Sequence, residues 1–367
     1  MKVPFVSLVP LNREIKEKFL AAVEKIVDKG DFILGSEVKN FETAYASYSG
    51  TRYCVGVNSG LDALKIALKA AGIKAGDEVI VPANTFIATW LAVSETGATP
   101  VPVDAEKISG NINVALIDAA ITKNTKAIIP VHLYGLPCNM DEVMQLSAKY
   151  NLQVIEDNAQ AQGATYKGKP TGSIGHINAT SFYPSKNLGA AGDGGAITTN
   201  SADLWKRTQL FRNYGSEEKY IHLSTGYNSR LDTLQAAFLN CKLSLLNHHN
   251  EYRIQSAHIY NELLKPLSEL QLPQCNADRK HIYHLYTIRT NHRDNLREHL
   301  AAHGIETGIH YPLPPHLQKA YAHLGWKKGA FPVTEEISAT TLSLPMYYGL
   351  HQHEIEYVCK HIKSFFG

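Results

Sequence analysis

The run ATSFYPSKNLGAAGDGGAITTN, residues 179–200, sets one lysine, Lys186, on a short turn behind an apolar strand pattern, with glycines following at 189, 192, 194 and 195. A lone lysine in a glycine-rich loop is ordinarily a solvated surface residue. Its amine is also a group that can form a Schiff base with a carbonyl, once burial and neighbours tune its protonation. The rest of the chain decides between these readings. LQVIEDNAQAQGA, residues 152–164, ends an apolar run on Asp157, where a carboxylate is costly unless it is paired. Asp157 either caps the next turn or keeps a pyridine-type ring nitrogen protonated, so that the ring serves as an electron sink. Gln160, three residues on, is spaced to hydrogen-bond or pack against such a ring. VGVNSGLDALKIAL, residues 55–68, joins a strand to a helix through a small polar turn. The amides of Gly60 and Leu61, with the helix dipole, form an anion site, although a plain capped helix has the same pattern. Ser181 offers a hydroxyl to the same anion. Phe86, in VPANTFIATW, either stacks on an aromatic cofactor or fills the core.

These residues stand just after short β-branched runs that alternate with helical patterns between about 52 and 200. The strands read as VGVN, EVIVPA, TPVPVDA, KAIIPVHLYG, LQVIED, ATSFYPS and GGAITTN. Leu61, Leu64 and Leu68 mark a helix that Gly72 stops, and further helices are expected near 87–96 and 141–150. Strands alternating with helices predict an α/β domain with a mainly parallel sheet, whose ligands sit at the carboxyl ends of the strands. Beyond Asn200, SADLWKRTQLFRNYG predicts a helix behind a serine cap. LDTLQAAFLNCKLSLLNHHNEYRIQSAHIYNELLK reads as one long amphipathic run. IYHLYTIRT, a helix near 293–303, ETGIHY and a closing helix near 352–365 predict a smaller α+β domain. The expected division is 1–245, an amino-terminal arm and the large domain, and 246–367, a connecting helix and the small domain. The first 40 residues or so are expected as an arm packed on the large domain.

Composition removes several function classes. With 36 basic and 34 acidic residues the formal net charge is +2, which gives no reason to expect nucleic acid or another polyanion. The 17 histidines show no HExxH motif and no paired Cys/His spacing, so no metal site is expected. Five widely spaced cysteines suggest no disulfide framework and favour a reducing, cytoplasmic setting. The opening MKVPFVSLVPLNREIKEK lacks the apolar core of a signal peptide, and the stretch 79–94 falls short of a membrane span. Asp193, His281 and His284 read as structural, and the His248–His249 pair as solvated. Tyr220 and His222 lie either near a substrate or on a surface loop.

Phosphate cradle, ring-stacking aromatic, ring-nitrogen acid and amine occur in that sequence order. With VPFVSL, FILGSEVKNFE, VPVHLYG, GYNSRLDTLQAAFL and GIHYPLPPHLQKAY, the chain resembles the DegT/DnrJ/EryC1/StrS family of sugar aminotransferases along nearly its whole length. The resemblance implies the aspartate-aminotransferase (type I) fold and pyridoxal phosphate, with pyridoxamine phosphate as its alternate form. It implies that Lys186 carries the cofactor, Asp157 partners the pyridine nitrogen, Gln160 lies near the ring hydroxyl and Phe86 stacks on the ring. Ser181, Gly60 and Leu61 then hold the phosphate. Asn228 reaches it from a neighbouring subunit, so a homodimer with shared active sites is implied. Arg230 is implied for the amino donor's carboxylate, and Tyr183, His310 and Tyr311 for the sugar pocket. RNYGSEEKYIHLSTGYNSRLD is most like the branch that aminates carbon 3 of dTDP-3-keto-6-deoxyhexoses, with L-glutamate as donor. Asn158, Gln162 and Ser185 depart from the family's common alanine, histidine and glycine and bear on pocket polarity. The alternatives are amination of a 4-keto-sugar nucleotide, a dehydratase and a non-catalytic regulatory relative. A histidine marks the dehydratases at the lysine position, so Lys186 opposes that reading.

Overall fold

A computed structural model describes all residues from 1 to 367. Seven strands form the central sheet: β1 (Tyr53–Val57), β2 (Glu78–Pro82), β3 (Thr99–Val103), β4 (Thr125–Ile128), β5 (Gln153–Asp157), β6 (Ile177–Ser181) and β7 (Gly195–Thr199). Their order is β1-β7-β6-β5-β4-β2-β3. Strands β2 to β6 pair in parallel, whereas β7 runs antiparallel to both β6 and β1. The exception has a local cause. Parallel pairing needs a crossover over one face of the sheet, usually a helix, and the glycine-rich lysine loop between β6 and β7 forms none.

Both faces of the sheet are covered, which is why its strands read as apolar runs rather than alternating ones. Val55, Val57, Val79 and Val81 pack with Leu64, Ile66 and Leu68 of helix α3 (Gly60–Ala70) and with Trp90 of α4 (Ile87–Ser94). Ile80, Ile128 and Val154 face Val143 of α5 (Met140–Tyr150) on the other side. Ser59 caps α3 by accepting the Asp62 amide at 3.1 Å, and Gly72, at φ +87°, turns the chain away after its end. Ser201 likewise caps α6 (Ala202–Arg212).

The long amphipathic run is two helices, α7 (Thr233–Leu243) and α8 (Leu246–Leu264), broken at Ser244–Leu245. The break lets Leu243 and Leu246 join Phe182 and Leu188 under the lysine loop, while Ala257, Tyr260 and Leu264 enter a separate carboxyl-terminal cluster. That cluster includes β8 (Tyr286–Arg289) paired antiparallel with β9 (Thr341–Leu344), and helices α9 (Arg293–Ala302) and α10 (Gln352–Phe366). Strand β8 is shorter than IYHLYTIRT suggested. Residues Ile282 and Leu285 instead donate their amides to the carbonyls of Gly135 and Tyr134. ETGIHY forms no strand beyond one bridge, Gly308 to Ser343.

The arm also departs from expectation. Helix α1 (Val9–Lys29) lies on α7, with Ile15 against Phe238. Its leading residues do not: Val3 bridges Ile305 and is fully buried in the carboxyl-terminal cluster. There the Val3 amide donates to the Gly304 carbonyl and its carbonyl accepts from the Glu306 amide, both at 2.9 Å, so its backbone is paired where its side chain is buried. No helix is long and apolar enough to cross a membrane.

Candidate active site

The loop after β6 is shaped by close packing. Gly189 lies so near Pro184 that a Cβ would collide with its carbonyl oxygen, and Phe182, Leu188 and Ala190 are buried beneath it. The Lys186 amide donates to the Tyr183 carbonyl at 2.8 Å. Asn187 donates to Asn250 at 2.7 Å and pairs with Nδ1 of His284 at 3.1 Å. The ammonium of Lys242, itself buried, donates to the Gly189 carbonyl at 2.7 Å from below. Lys186 is half-buried on this scaffold. Burial lowers the pKa of its ammonium to about 8, against the opposing attraction of Asp157. His284 and His310, both near this charge, are held neutral by burial and by the lysine, His310 down to about 4.

Asp157 ends β5 beside this amine and is almost fully buried. Thr89 on α4 donates to its Oδ2 at 3.0 Å, and the Ala159 amide donates to its Oδ1 at 3.1 Å. These bonds do not offset burial, which raises its pKa. A cation placed against it, such as a protonated ring nitrogen, would reverse that shift. Gln160 accepts the Tyr134 amide at 2.6 Å and donates to the Tyr311 hydroxyl at 3.1 Å. Tyr134 donates its hydroxyl to the His310 carbonyl. Phe86 is 52% exposed, with its ring 5.3 Å from that of Tyr311, so it is not a core residue. His310 stacks on Phe5 of the arm and bonds Ser343 at 2.8 Å.

The anion cradle lies at the start of α3. The amides of Gly60 and Leu61 donate to no protein group, as expected of a helix's first turn. Ser181 stands so close that a Cβ on residue 60 would collide with its Cβ. Gln162, fully buried, donates to the Ser181 carbonyl at 2.8 Å and to Thr180 at 3.0 Å. It braces the cradle from behind. Free amides beside a hydroxyl, a buried acid with no ion-pair partner in contact, an exposed aromatic face and a depressed amine together fit a phosphorylated, cationic heterocycle that carries a carbonyl.

The structure joins Lys186, Asp157, Gln160, Ser181, Gly60, Leu61, Phe86, His310 and Tyr311 in this way. It does not tie three other residues to them within one chain. Asn228 is exposed, although its neighbour Ser229 donates to the Asn58 side chain at 3.1 Å beside the cradle. Arg230 donates to Asn213 at 3.2 Å and lies over the Tyr214 ring at 5.4 Å. Tyr183 is 55% exposed. Tyr220, His222 and Asp193 are also exposed.

His249 corrects the expectation of a solvated pair. His248 is exposed, but His249 is buried, 3.0 Å from Glu14 and 4.1 Å from the Tyr348 ring. Sequence reading also missed Thr89, Lys242 and Arg253, the last buried against the carbonyls of Tyr283, His284 and Met346. For Thr89 a signal existed: it lies four residues after Thr85, and the two hydroxyls are 2.9 Å apart across the start of α4.

The model of the DegT/DnrJ/EryC1/StrS aminotransferase family matches residues 13–363. A dTDP-3-amino-3,4,6-trideoxy-α-D-glucose transaminase of Streptomyces venezuelae is 46% identical over 94% of this chain and 91% of its own. A dTDP-3-amino-3,6-dideoxy-α-D-galactopyranose transaminase of Aneurinibacillus thermoaerophilus is 46% identical over 99% of both chains. The crystal structure of S. venezuelae DesV in complex with a ketimine intermediate superposes with a TM-score of 0.97, at 44% identity over 99% of this chain and 98% of that one. On its fold, its site and these similarities, the chain belongs to the DegT/DnrJ/EryC1/StrS aminotransferase family.

Proposed function

We propose that this protein moves the amino group of L-glutamate to carbon 3 of a dTDP-linked 3-keto-6-deoxyhexose. The protein is a sugar-nucleotide aminotransferase and its cofactor is pyridoxal phosphate. The carrying observation is the pairing of a depressed amine, Lys186, with the buried, counter-charge-seeking Asp157 on one sheet edge beside a free-amide cradle. Two relatives of 46% identity whose names place the amine on carbon 3 of dTDP sugars support the ring position.

Bound pyridoxal phosphate supplies a carbonyl for the amino group and a protonated ring that draws electrons from the bond being broken. Gly60, Leu61 and Ser181 would hold its phosphate, with Asn228 reaching it from the partner subunit of a homodimer. Asp157, oriented by Thr89 and the Ala159 amide, would keep the ring nitrogen charged, while Phe86 and Gln160 fix the plane. Lys186 first anchors the cofactor. With its amine free and neutral, it would take the proton lost by the donor's α-carbon and, in the second half-reaction, deliver one to the sugar carbon. Arg230 would meet the donor's carboxylate. Tyr183, His310 and Tyr311 would line the sugar side, with His310 neutral and so able to accept a hydrogen bond from a hydroxyl. Five unbridged cysteines support a cytoplasmic setting.

The test is a panel of 3-keto and 4-keto sugar nucleotides, on dTDP and UDP, with glutamate as donor and amino-sugar product as readout. Turnover of the dTDP-3-keto substrate at the highest kcat/KM is expected. Activity confined to 4-keto substrates would overturn the carbon-3 assignment.

A further inference from the structure

Away from the cofactor cleft, α9 and α10 bring three histidines together. His299 lies on α9 and His303 at its end, four residues apart and so on one helical face, and His361 faces them from α10. The rings of His299 and His303 are 4.5 Å apart, and those of His303 and His361 are 4.0 Å apart and nearly parallel. One ring nitrogen from each residue lies within 4.8 Å of the other two. No metal was expected from the sequence, because the third histidine is remote in the chain and the His299/His303 spacing lacks the glutamate of HExxH.

Hydrogen bonding distinguishes this cluster from ordinary aromatic packing. Nδ1 of His303 is 2.8 Å from the His299 carbonyl, so Nδ1 carries the hydrogen and Nε2 keeps a lone pair. That backbone bond is the arrangement that orients a metal-binding imidazole. Nε2 of His299 and Nδ1 of His361 are buried and have no partner in the protein. Two such nitrogens in one cluster are unusual, because leaving a buried polar atom unpaired is costly. Phe365 and Tyr357 wall the rings at 5.5 and 4.4 Å from His299 and His361, and Tyr357 donates its hydroxyl to the His303 carbonyl at 3.1 Å.

We propose that His299, His303 and His361 form a binding site for a divalent transition metal, Zn2+ foremost, that ties α9 to α10. Three imidazoles without a carboxylate suit zinc, copper or nickel and not calcium or magnesium. Tetrahedral zinc with bonds of about 2.0–2.1 Å needs nitrogens about 3.3 Å apart, a closure within reach of side-chain rotation. The fourth position is left to water. The site touches none of the residues assigned to transamination, so its effect falls on the stability of the carboxyl-terminal cluster.

The test uses untagged, chelator-stripped enzyme loaded with pyridoxal phosphate, titrated with Zn2+ alone in a calorimeter. One equivalent per chain is expected. H303Q and H361Q should each weaken binding at least about tenfold, and H353Q on the neighbouring surface should not. Transamination should be unchanged in all three, and Zn2+ should raise the melting temperature of the wild type but not of H361Q. Electron paramagnetic resonance of the Cu2+-loaded wild type needs no variant and should show imidazole nitrogen hyperfine coupling. Absence of binding tighter than about 100 µM, equal affinity in H303Q and H361Q, or a copper spectrum without imidazole nitrogens would each overturn the proposal.

Discussion

Gln160 links the two halves of the active site to each other: it accepts the Tyr134 amide at 2.6 Å and donates to the Tyr311 hydroxyl at 3.1 Å. Tyr134 itself donates its hydroxyl to the His310 carbonyl, so the loop carrying His310 and Tyr311 is fastened at two points, through Gln160 and through the tyrosine whose backbone Gln160 holds. Replacing Gln160 by leucine leaves a buried amide unpaired, at a cost of about 1–3 kcal/mol. A lower melting temperature and a raised KM for the sugar nucleotide are expected. Tyr311→Phe removes only the outer bond and should shift KM with little loss of stability. Equal behaviour of the two variants in thermal unfolding and steady-state kinetics would refute this linkage.

The amine of Lys186 is depressed to about 8. Its neutral, nucleophilic form therefore dominates above that pH and is lost as pH falls below it. The rate at which the apo protein captures pyridoxal phosphate, followed by the visible absorbance of the adduct, should rise with pH and level off above about 8. A midpoint near 10.5, the ordinary lysine value, would remove the assigned role of burial. Lys186→Ala should abolish both capture and turnover.

Thr89 and Asp157 separate orientation from charge. Asp157→Asn removes the counter-charge for a ring nitrogen and should lower kcat by about 10²–10⁴ while the protein still folds. Thr89→Val removes one hydrogen bond to a charged group, worth about 1.5–3 kcal/mol, and should lower kcat by roughly 10- to 100-fold. Rate constants from single-turnover experiments with glutamate alone test both. A Thr89→Val enzyme with unchanged kcat would show that the Ala159 amide suffices.

Gly60 is required by proximity rather than by backbone conformation, since a Cβ there would collide with the Cβ of Ser181. Gly60→Ala must separate the free amides from the serine hydroxyl. Cofactor affinity should fall by about 10- to 100-fold, because each charged hydrogen bond to phosphate is worth about 1.5–3 kcal/mol. Equilibrium dialysis of the cofactor checks this, and unaltered affinity would displace the cradle from α3.

Asn228 is exposed and its side chain makes no hydrogen bond within its own chain. If it completes the partner's cradle, mixing inactive Lys186→Ala with impaired Asn228→Ala subunits should regain activity. Random exchange leaves one intact site in half of the dimers, about one quarter of wild-type activity. No recovery after verified subunit exchange would place Asn228 in its own chain's site.

Most of the chemistry was legible because it rests on local properties. A carboxylate at the end of an apolar strand, a glycine at a helix start and a lysine on a tight turn are set by neighbours within a few residues. For that reason Asp157, Gly60 and Lys186 stand where their patterns placed them. The alternation of strands and helices likewise sufficed for the mainly parallel sheet, and the helix-free lysine loop accounts for the one antiparallel strand. Partners remote in the chain were not legible. Whether His249 meets water or Glu14, whether Val3 docks on the large domain or on Ile305, and where the 233–264 run breaks depend on which surfaces meet after folding. The same holds for Thr89 under Asp157 and for His361 against His299 and His303. The sequence alone determined which groups stand at the strand ends. The tertiary structure alone decided which of them lose water and find a partner, because burial is a sum over contacts that no local window contains.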